Sequence, residues 1–237
     1  MKKPARKRNS RRNGEWNSKK ATADEEEEDN MKGIFISFEG IDGSGKSTQF
    51  KLFSDYLRSL NADFIMTRAP GGTEISEKIR NMILDPSNKE MDPMTEALLF
   101  AASRAQHVEQ LIRPALKDGK IVICDRFIDS SIAYQGYGRE LGDCVRKINE
   151  YAVSGTVPDI TFYLDLDPSV GRQRNQNAGK VDRMELELLD FHNKVYEGYK
   201  ELSIIYKDRF VTIDASQSID SIAEQIRKYF EQYRACR

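Results

Sequence analysis

From residue 34 onward, short apolar runs alternate with longer stretches in which apolar residues return every three or four positions. The runs "IFISFE", "DFIMT", "KIVICD", "ITFYLDL" and "RFVTID" are too short for stable helices and rich in β-branched and aromatic residues, so they predict five strands. Between them, "TQFKLFSDYLRSL" places Phe50, Phe53, Leu57 and Leu60 on one helical face, and "MTEALLFAASRAQHVEQLIRPAL" and "SIDSIAEQIRKYFEQY" carry the same period. Strands apolar on both faces and separated by helices predict an α/β fold: an open, mostly parallel five-stranded sheet with helices on both faces. No internal repeat interrupts the alternation.

Composition narrows this picture without changing it. The chain has 237 residues, 39% hydrophobic and 32% charged, which suits one globular domain. A net charge of -1 gives no global case for nucleic acid or an anionic membrane, and no apolar run approaches the ~20 residues that would span a bilayer. Cys124, Cys144 and Cys236 are far apart and form no CxxC pair, which argues against a disulfide framework or zinc site and fits a reducing cytoplasm. Residues 1–30 differ in kind: a basic segment, "MKKPARKRNSRRNGEWNSKK", is followed by the acidic "DEEEED", with few apolar residues to offset the entropy of ordering. They are expected to form a disordered charged extension ahead of a domain at 31–237. A solvated tail is the plain reading and a nuclear-import or RNA-contacting tail the sharper one; a start at Met31 is a third.

Within the first strand–helix junction lies "GIDGSGKS", which fits G-x-x-x-x-G-K-[ST] in the context that motif needs. Gly40, Gly43 and Gly45 allow the backbone to wrap a phosphate with its amides pointing inward, while the helix start adds positive potential. Lys46 can reach β- and γ-phosphates, and the Ser47 hydroxyl is placed to ligate Mg²⁺. The stretch predicts a nucleoside triphosphate site.

Further arginines suggest a second phosphate. Arg68 in "TRAPGGT" and Arg126 in "CDRF" fall at strand carboxyl ends, where the ligand crevice of an open α/β sheet lies, and "RQRNQNAGKVDR" supplies Arg172, Arg174 and Arg183. A guanidinium holds phosphate oxygens bidentately and keeps its charge. No His/Asp/Ser triad is evident, and His107 and His192 read as helix residues, buried or on the surface. A phosphate acceptor is already an ionised nucleophile, so the missing general base is consistent with transfer by positioning and charge neutralisation.

The ordered set "FEGIDGSGKSTQ", "TRAPGGT", "TEALLFAASRAQH", "CDRFIDSSIAYQGYGR", "PDITFYLDLDPSVG" and "LDFHNKVYEGY" resembles bacterial-type thymidylate kinases from about Met31 to the C-terminus. The resemblance implies a P-loop nucleotide kinase fold with a short lid at about 171–183, transfer of the ATP γ-phosphate to dTMP with Mg²⁺, and a homodimer. It places ATP on Gly40, Ile41, Asp42, Gly43, Ser44, Gly45, Lys46, Ser47 and Thr48. It places dTMP on Arg68, Phe100, Arg104, Arg126, Ser131, Tyr134 and Gln135. Phe100 would stack on thymine, Arg104 bind its carbonyl edge, and Tyr134 crowd the 2′ position of the sugar. Lys46, Asp42, Arg126 and Arg174 would be catalytic, with Ser47 and Asp42 organising the metal.

Two departures from the family pattern stand out. Ala69 replaces the common glutamate of R-E-P-G-G-T, and Gly43 means that the loop has no arginine of the eukaryotic type. Transition-state charge would then come from the lid, first from Arg174, with Lys180 or Arg183 in reserve. A kinase for another nucleoside monophosphate and a non-catalytic nucleotide-binding module are the competing readings.

Overall fold

The five apolar runs form five parallel strands: β1 Ile34–Glu39, β2 Phe64–Arg68, β3 Ile121–Asp125, β4 Ile160–Asp165 and β5 Phe210–Asp214. The computed structural model describes residues 33–175 and 183–237; the extension expected at 1–30 and the part of the lid containing Lys180 lie outside the described residues. Strand order is β2-β3-β1-β4-β5, with Phe38 paired to Asp125 and to Phe162 across the centre. The chain leaves β1 across β3 to reach β2, and leaves β3 across β1 to reach β4. These opposite departures open a crevice at the carboxyl ends of β1 and β3.

Helix α1, Lys46–Ser59, starts directly from the glycine loop, and α2, Glu74–Leu84, starts at Thr73, whose hydroxyl accepts from the Ser76 N–H at 3.3 Å. Helix α3, Pro93–His107, is capped by Asp92, with Pro93 at its first position where no N–H is needed. It passes through a wider π-helical turn, Val108–Ile112, into α4, Arg113–Lys117. After β3, α5, Ile128–Ser131, opens into a second π-helical segment, Ile132–Gly138. Helices α6, Cys144–Val153; α7, Pro168–Asn175; α8, Leu189–Ile205; and α9, Ile219–Cys236, complete the described chain.

Phe53 and Leu57 of α1 are buried as their spacing predicts, whereas Leu60, at the frayed end, is 40% exposed. Phe53 meets Phe38, Phe162 and Phe230 at centroid distances of 5.7, 6.0 and 5.1 Å, tying α1 and α9 to one sheet face. Edge-to-face and tilted pairs of this kind add about 0.5–1.5 kcal/mol each beyond their buried area. This packing fixes the start of α1, and with it the loop above β1.

Candidate active site

The loop after β1 takes up left-handed backbone at Gly43 and Gly45, with φ of 80° and 90°, where a side chain would be strained. Lys46, the first residue of α1, folds back so that Nζ donates to the carbonyls of Gly40 at 3.0 Å and Ile41 at 2.8 Å. The ammonium therefore caps its own loop. Burial, reinforced by the Arg126 charge, lowers its pKa to about 8 against the opposing pull of Asp42, Asp125 and Glu39. A bound polyphosphate raises that pKa again. ATP affinity should thus be unaffected by this group below about pH 8 and fall as pH rises above it, binding being coupled to proton uptake. Calorimetry at about pH 8.5 in buffers of different ionisation enthalpy would reveal the uptake; proton-neutral binding would rule it out.

Arg126 immediately follows β3 and is held at φ 63°, an unusual backbone for a residue with a side chain. Its N–H donates to the Phe38 carbonyl at 2.9 Å, and the next N–H, of Phe127, donates to Glu39 Oε1 at 2.7 Å. The turn swings the guanidinium over the loop, where Nη1 donates to the Gly40 carbonyl at 2.7 Å and Nη2 to Asp42 Oδ1 at 2.5 Å. It also lies 5.1 Å from the Tyr134 ring centre. Burial works to raise the Asp42 pKa, but the charges of Arg126 and Lys46 overcome it and hold the carboxyl well below its ordinary range. The Tyr134 hydroxyl donates to Asp42 Oδ2 at 3.3 Å.

The crevice holds a cavity of about 490 Å³ that brings together Asp42, Gly43, Gly45, Lys46, Ser47, Thr48, Arg68, Phe100, Arg104, Arg126, Ser131, Tyr134 and Gln135. Of the other expected loop residues, Gly40, Ile41 and Ser44 are buried and do not line this cavity. Phe100 is half-buried, leaving ring surface on the cavity side, and Arg104 is buried one turn further along α3. Arg104 Nη2 donates to the Phe127 carbonyl and Ser131 Oγ, both at 2.9 Å, and Nη1 donates to Asn149. Its Nε is buried with no hydrogen-bond partner among the described residues. Arg68 is half-exposed and donates to Glu77 at 3.0 Å. Ala69 sits in the cavity wall, so Glu77 of α2 is the carboxylate that engages Arg68 here. The π-helical segment explains how adjacent residues can both face the cavity: its wider turn puts less rotation between Tyr134 and Gln135 than an α-helix would.

Sequence reasoning missed three carboxylates. Glu39, fully buried at the end of β1, accepts from Phe127 N–H, from the Ser130 hydroxyl at 2.5 Å and from the Tyr199 hydroxyl at 2.8 Å. Burial and the nearby Asp129 push its pKa up, with the Ser130 and Phe127 hydrogen bonds and the Arg126 charge opposing. An acid closing an otherwise apolar strand run was the available signal. Glu96 accepts from Gln135 at 2.9 Å, Arg139 at 3.0 Å and Arg183 at 2.6 Å; no local pattern could have joined these partners. Asp125 lines the cavity, and its Oδ1 is buried with no hydrogen-bond partner among the described residues. Its position at a strand end, next to the selected Arg126, was the clue.

One lid expectation changes. Arg183 is 6% exposed, donates to the Ile83 carbonyl at 2.8 Å and pairs with Glu96, so in this structure it braces the cavity wall and is committed away from the phosphate loop. Arg174, on α7, lies at the loop: its Nη1 is 3.5 Å from both the Gly43 and Ala215 carbonyls. His107 is wholly buried against Thr67 and His192 partly so, both on helices as expected.

The residues present also suit a magnesium ion. Mg²⁺ takes few protein ligands and keeps waters and phosphate oxygens, so a free buried Asp125 oxygen and the exposed Ser47 hydroxyl in one cavity meet its needs. Asp42 is already engaged by Arg126, Lys46 and Tyr134. No cluster of three His, Cys, Asp or Glu side chains able to hold a metal alone occurs among the described residues.

Comparison with known proteins supplies the remaining context. The sequence profile of the family described as "Thymidylate kinase" matches residues 38–226. The chain is 52% identical over 200 residues to a thymidylate kinase of Lactobacillus helveticus, covering 83% of this chain and 94% of that protein. It is 50% identical over 203 residues to one of Clostridium novyi, covering 84% and 99%. The crystal structure of thymidylate kinase from Ehrlichia chaffeensis superposes with a TM-score of 0.68 at 35% identity, over 84% of this chain and 98% of that one.

Proposed function

Because the chain belongs to the thymidylate kinase family, whose members phosphorylate dTMP to dTDP, we propose that its crevice performs this transfer from ATP by holding two phosphate groups in line, without a general base. The observation that carries the reading is the Lys46–Asp42–Arg126 cluster between the loop and the acceptor pocket. An oxygen of the dTMP phosphate attacks the γ-phosphorus, the bond from that phosphorus to the β-bridging oxygen breaks, and ADP leaves with the electron pair. No proton need be removed from the ionised acceptor, so positioning and charge do the catalysis.

In this scheme the loop amides and Lys46 hold the β- and γ-phosphates. Arg68 and Arg126 hold the acceptor phosphate, Arg126 also facing the transferred group. Asp42 orients Arg126 through their 2.5 Å contact, and Arg174 neutralises the charge that develops on the γ-oxygens. Phe100 stacks on thymine, and Arg104, whose Nε has no partner among the described residues, binds its carbonyl edge, with Ser131 and Gln135 completing the pocket. Ser47 and Asp125 would hold Mg²⁺, which when bound neutralises phosphate charge.

Tyr134 is 7% exposed and fixed between Arg126 and Asp42, so it cannot easily yield to an added ribose hydroxyl. Preference for dTMP over its ribose counterpart should be on the order of a hundredfold, as rejection by shape allows. In Tyr134→Ala the ratio of the two kcat/KM values should approach unity; an unchanged ratio would exclude this role.

We assign the enzyme to the cytoplasm and to a homodimer. The three cysteines are unpaired, and among the described residues no helix is long and apolar enough to cross a membrane. Ile75 and Met82 of α2 and Leu98 of α3, each at least half exposed on helices that pack together, support an interface there.

A further inference from the structure

Helix α7 contains a glycine where its own propensity argues against one. Gly171 is not among the positive-φ glycines and lies inside the helix, where alanine is intrinsically better. The environment leaves alanine no room unless α7 shifts: a Cβ there would lie 2.6 Å from the Asp42 carbonyl oxygen and 2.9 Å from Ile41 Cδ1. The contact is reciprocal, since a Cβ on Gly43 would lie 2.2 Å from the Gly171 carbonyl oxygen. Two backbones therefore touch, one from the phosphate loop and one from α7. Arg174 stands three residues beyond Gly171, on the same side of the helix, and its Nη1 is within 3.5 Å of the Gly43 carbonyl.

We infer that Gly171 is a positioning residue: its missing side chain lets α7 dock on the phosphate loop at the distance from which Arg174 can reach the transferring phosphate. The inference rests on the role of Arg174 proposed above. It also accounts for the bare loop position at 43, because the helix that presents the arginine occupies the space a side chain there would need. Any side chain at 171 must push apart backbone atoms, which cannot rotate away as a flexible side chain could. A displacement on the order of 1 Å at the arginine is enough to cost up to ~10²-fold in rate.

The test is a double-mutant cycle on the full chain, comparing Gly171→Ala, Arg174→Ala and the double variant by kcat, KM for dTMP and Tm. Gly171→Ala is expected to lower kcat by about 10–100-fold, with KM for dTMP within about twofold and Tm maintained. It should cause no further loss when Arg174 is already alanine. A loss that multiplies in the double variant would overturn the inference, because the glycine would then act through the loop itself. Loss of Tm with activity would overturn it too, as a purely structural role. If Arg174→Ala alone turns over normally, the arginine's role fails and this inference with it. If Arg174→Ala is slow but Gly171→Ala is not, only the inference about Gly171 fails.

Discussion

Replacing Arg126 by alanine should lower kcat/KM for dTMP by about 10³-fold or more, with both kcat and KM affected, because in the proposed scheme one side chain serves the acceptor phosphate, the transferring group and Asp42 together. The guanidinium bridges the Gly40 carbonyl and Asp42, so its loss empties the space between the two phosphates and frees the carboxylate that now points there. An unpaired Asp42 would repel the incoming dTMP phosphate. Stability should fall much less, by about 1–2 kcal/mol, since Asp42 is a third exposed and solvent takes up part of the lost pairing. Arg126→Lys should recover only part of the rate, having charge but no planar fork. Steady-state kinetics beside thermal unfolding would separate the two effects; an alanine variant within about tenfold of wild type would remove Arg126 from the mechanism.

Arg174→Ala should reduce turnover by about 10³-fold while leaving dTMP binding nearly unchanged, as expected for a charge needed in the transition state more than in the ground state. The arginine touches the Gly43 and Ala215 carbonyls and no part of the acceptor pocket, so its loss cannot weaken dTMP contacts directly. Arg183 cannot replace it, being buried on Glu96 and the Ile83 carbonyl. Single-turnover rates and dTMP titration would check the split. A variant that loses dTMP affinity in proportion to turnover would place Arg174 in substrate binding instead.

Much of this site was readable because its determinants are local. The strands are continuous apolar runs buried on both faces, and the phosphate loop is a short motif between a strand and a helix whose aromatic face packs on that strand. Arg126 could be selected because a strand's carboxyl end is a ligand position in this fold. Features that depend on distant partners were not readable. Glu39 meets Tyr199 from 160 residues away, and Glu96 collects Gln135, Arg139 and Arg183 from three separate places. The π-helical segment that aims Tyr134 and Gln135 has no periodic signature distinguishing "IAYQGYG" from an α-helix. Arg183 looked like a lid cation beside Arg172 and Arg174 in sequence, yet burial against Glu96 gives it a bracing role. Gly171 closes the stretch "PDITFYLDLDPSVG", but its packing role was not readable, since only the approach of two backbones explains it.

The most direct measurement is ADP production by the purified chain with Mg-ATP, offered separately dTMP, dUMP, the ribose form of TMP, AMP, GMP and CMP. Strong turnover is expected with dTMP, about 10–200-fold lower kcat/KM with dUMP, which lacks only the methyl group, and little with the others. Equal or faster turnover with another monophosphate, or ATP binding without phosphorylation of any acceptor, would contradict it.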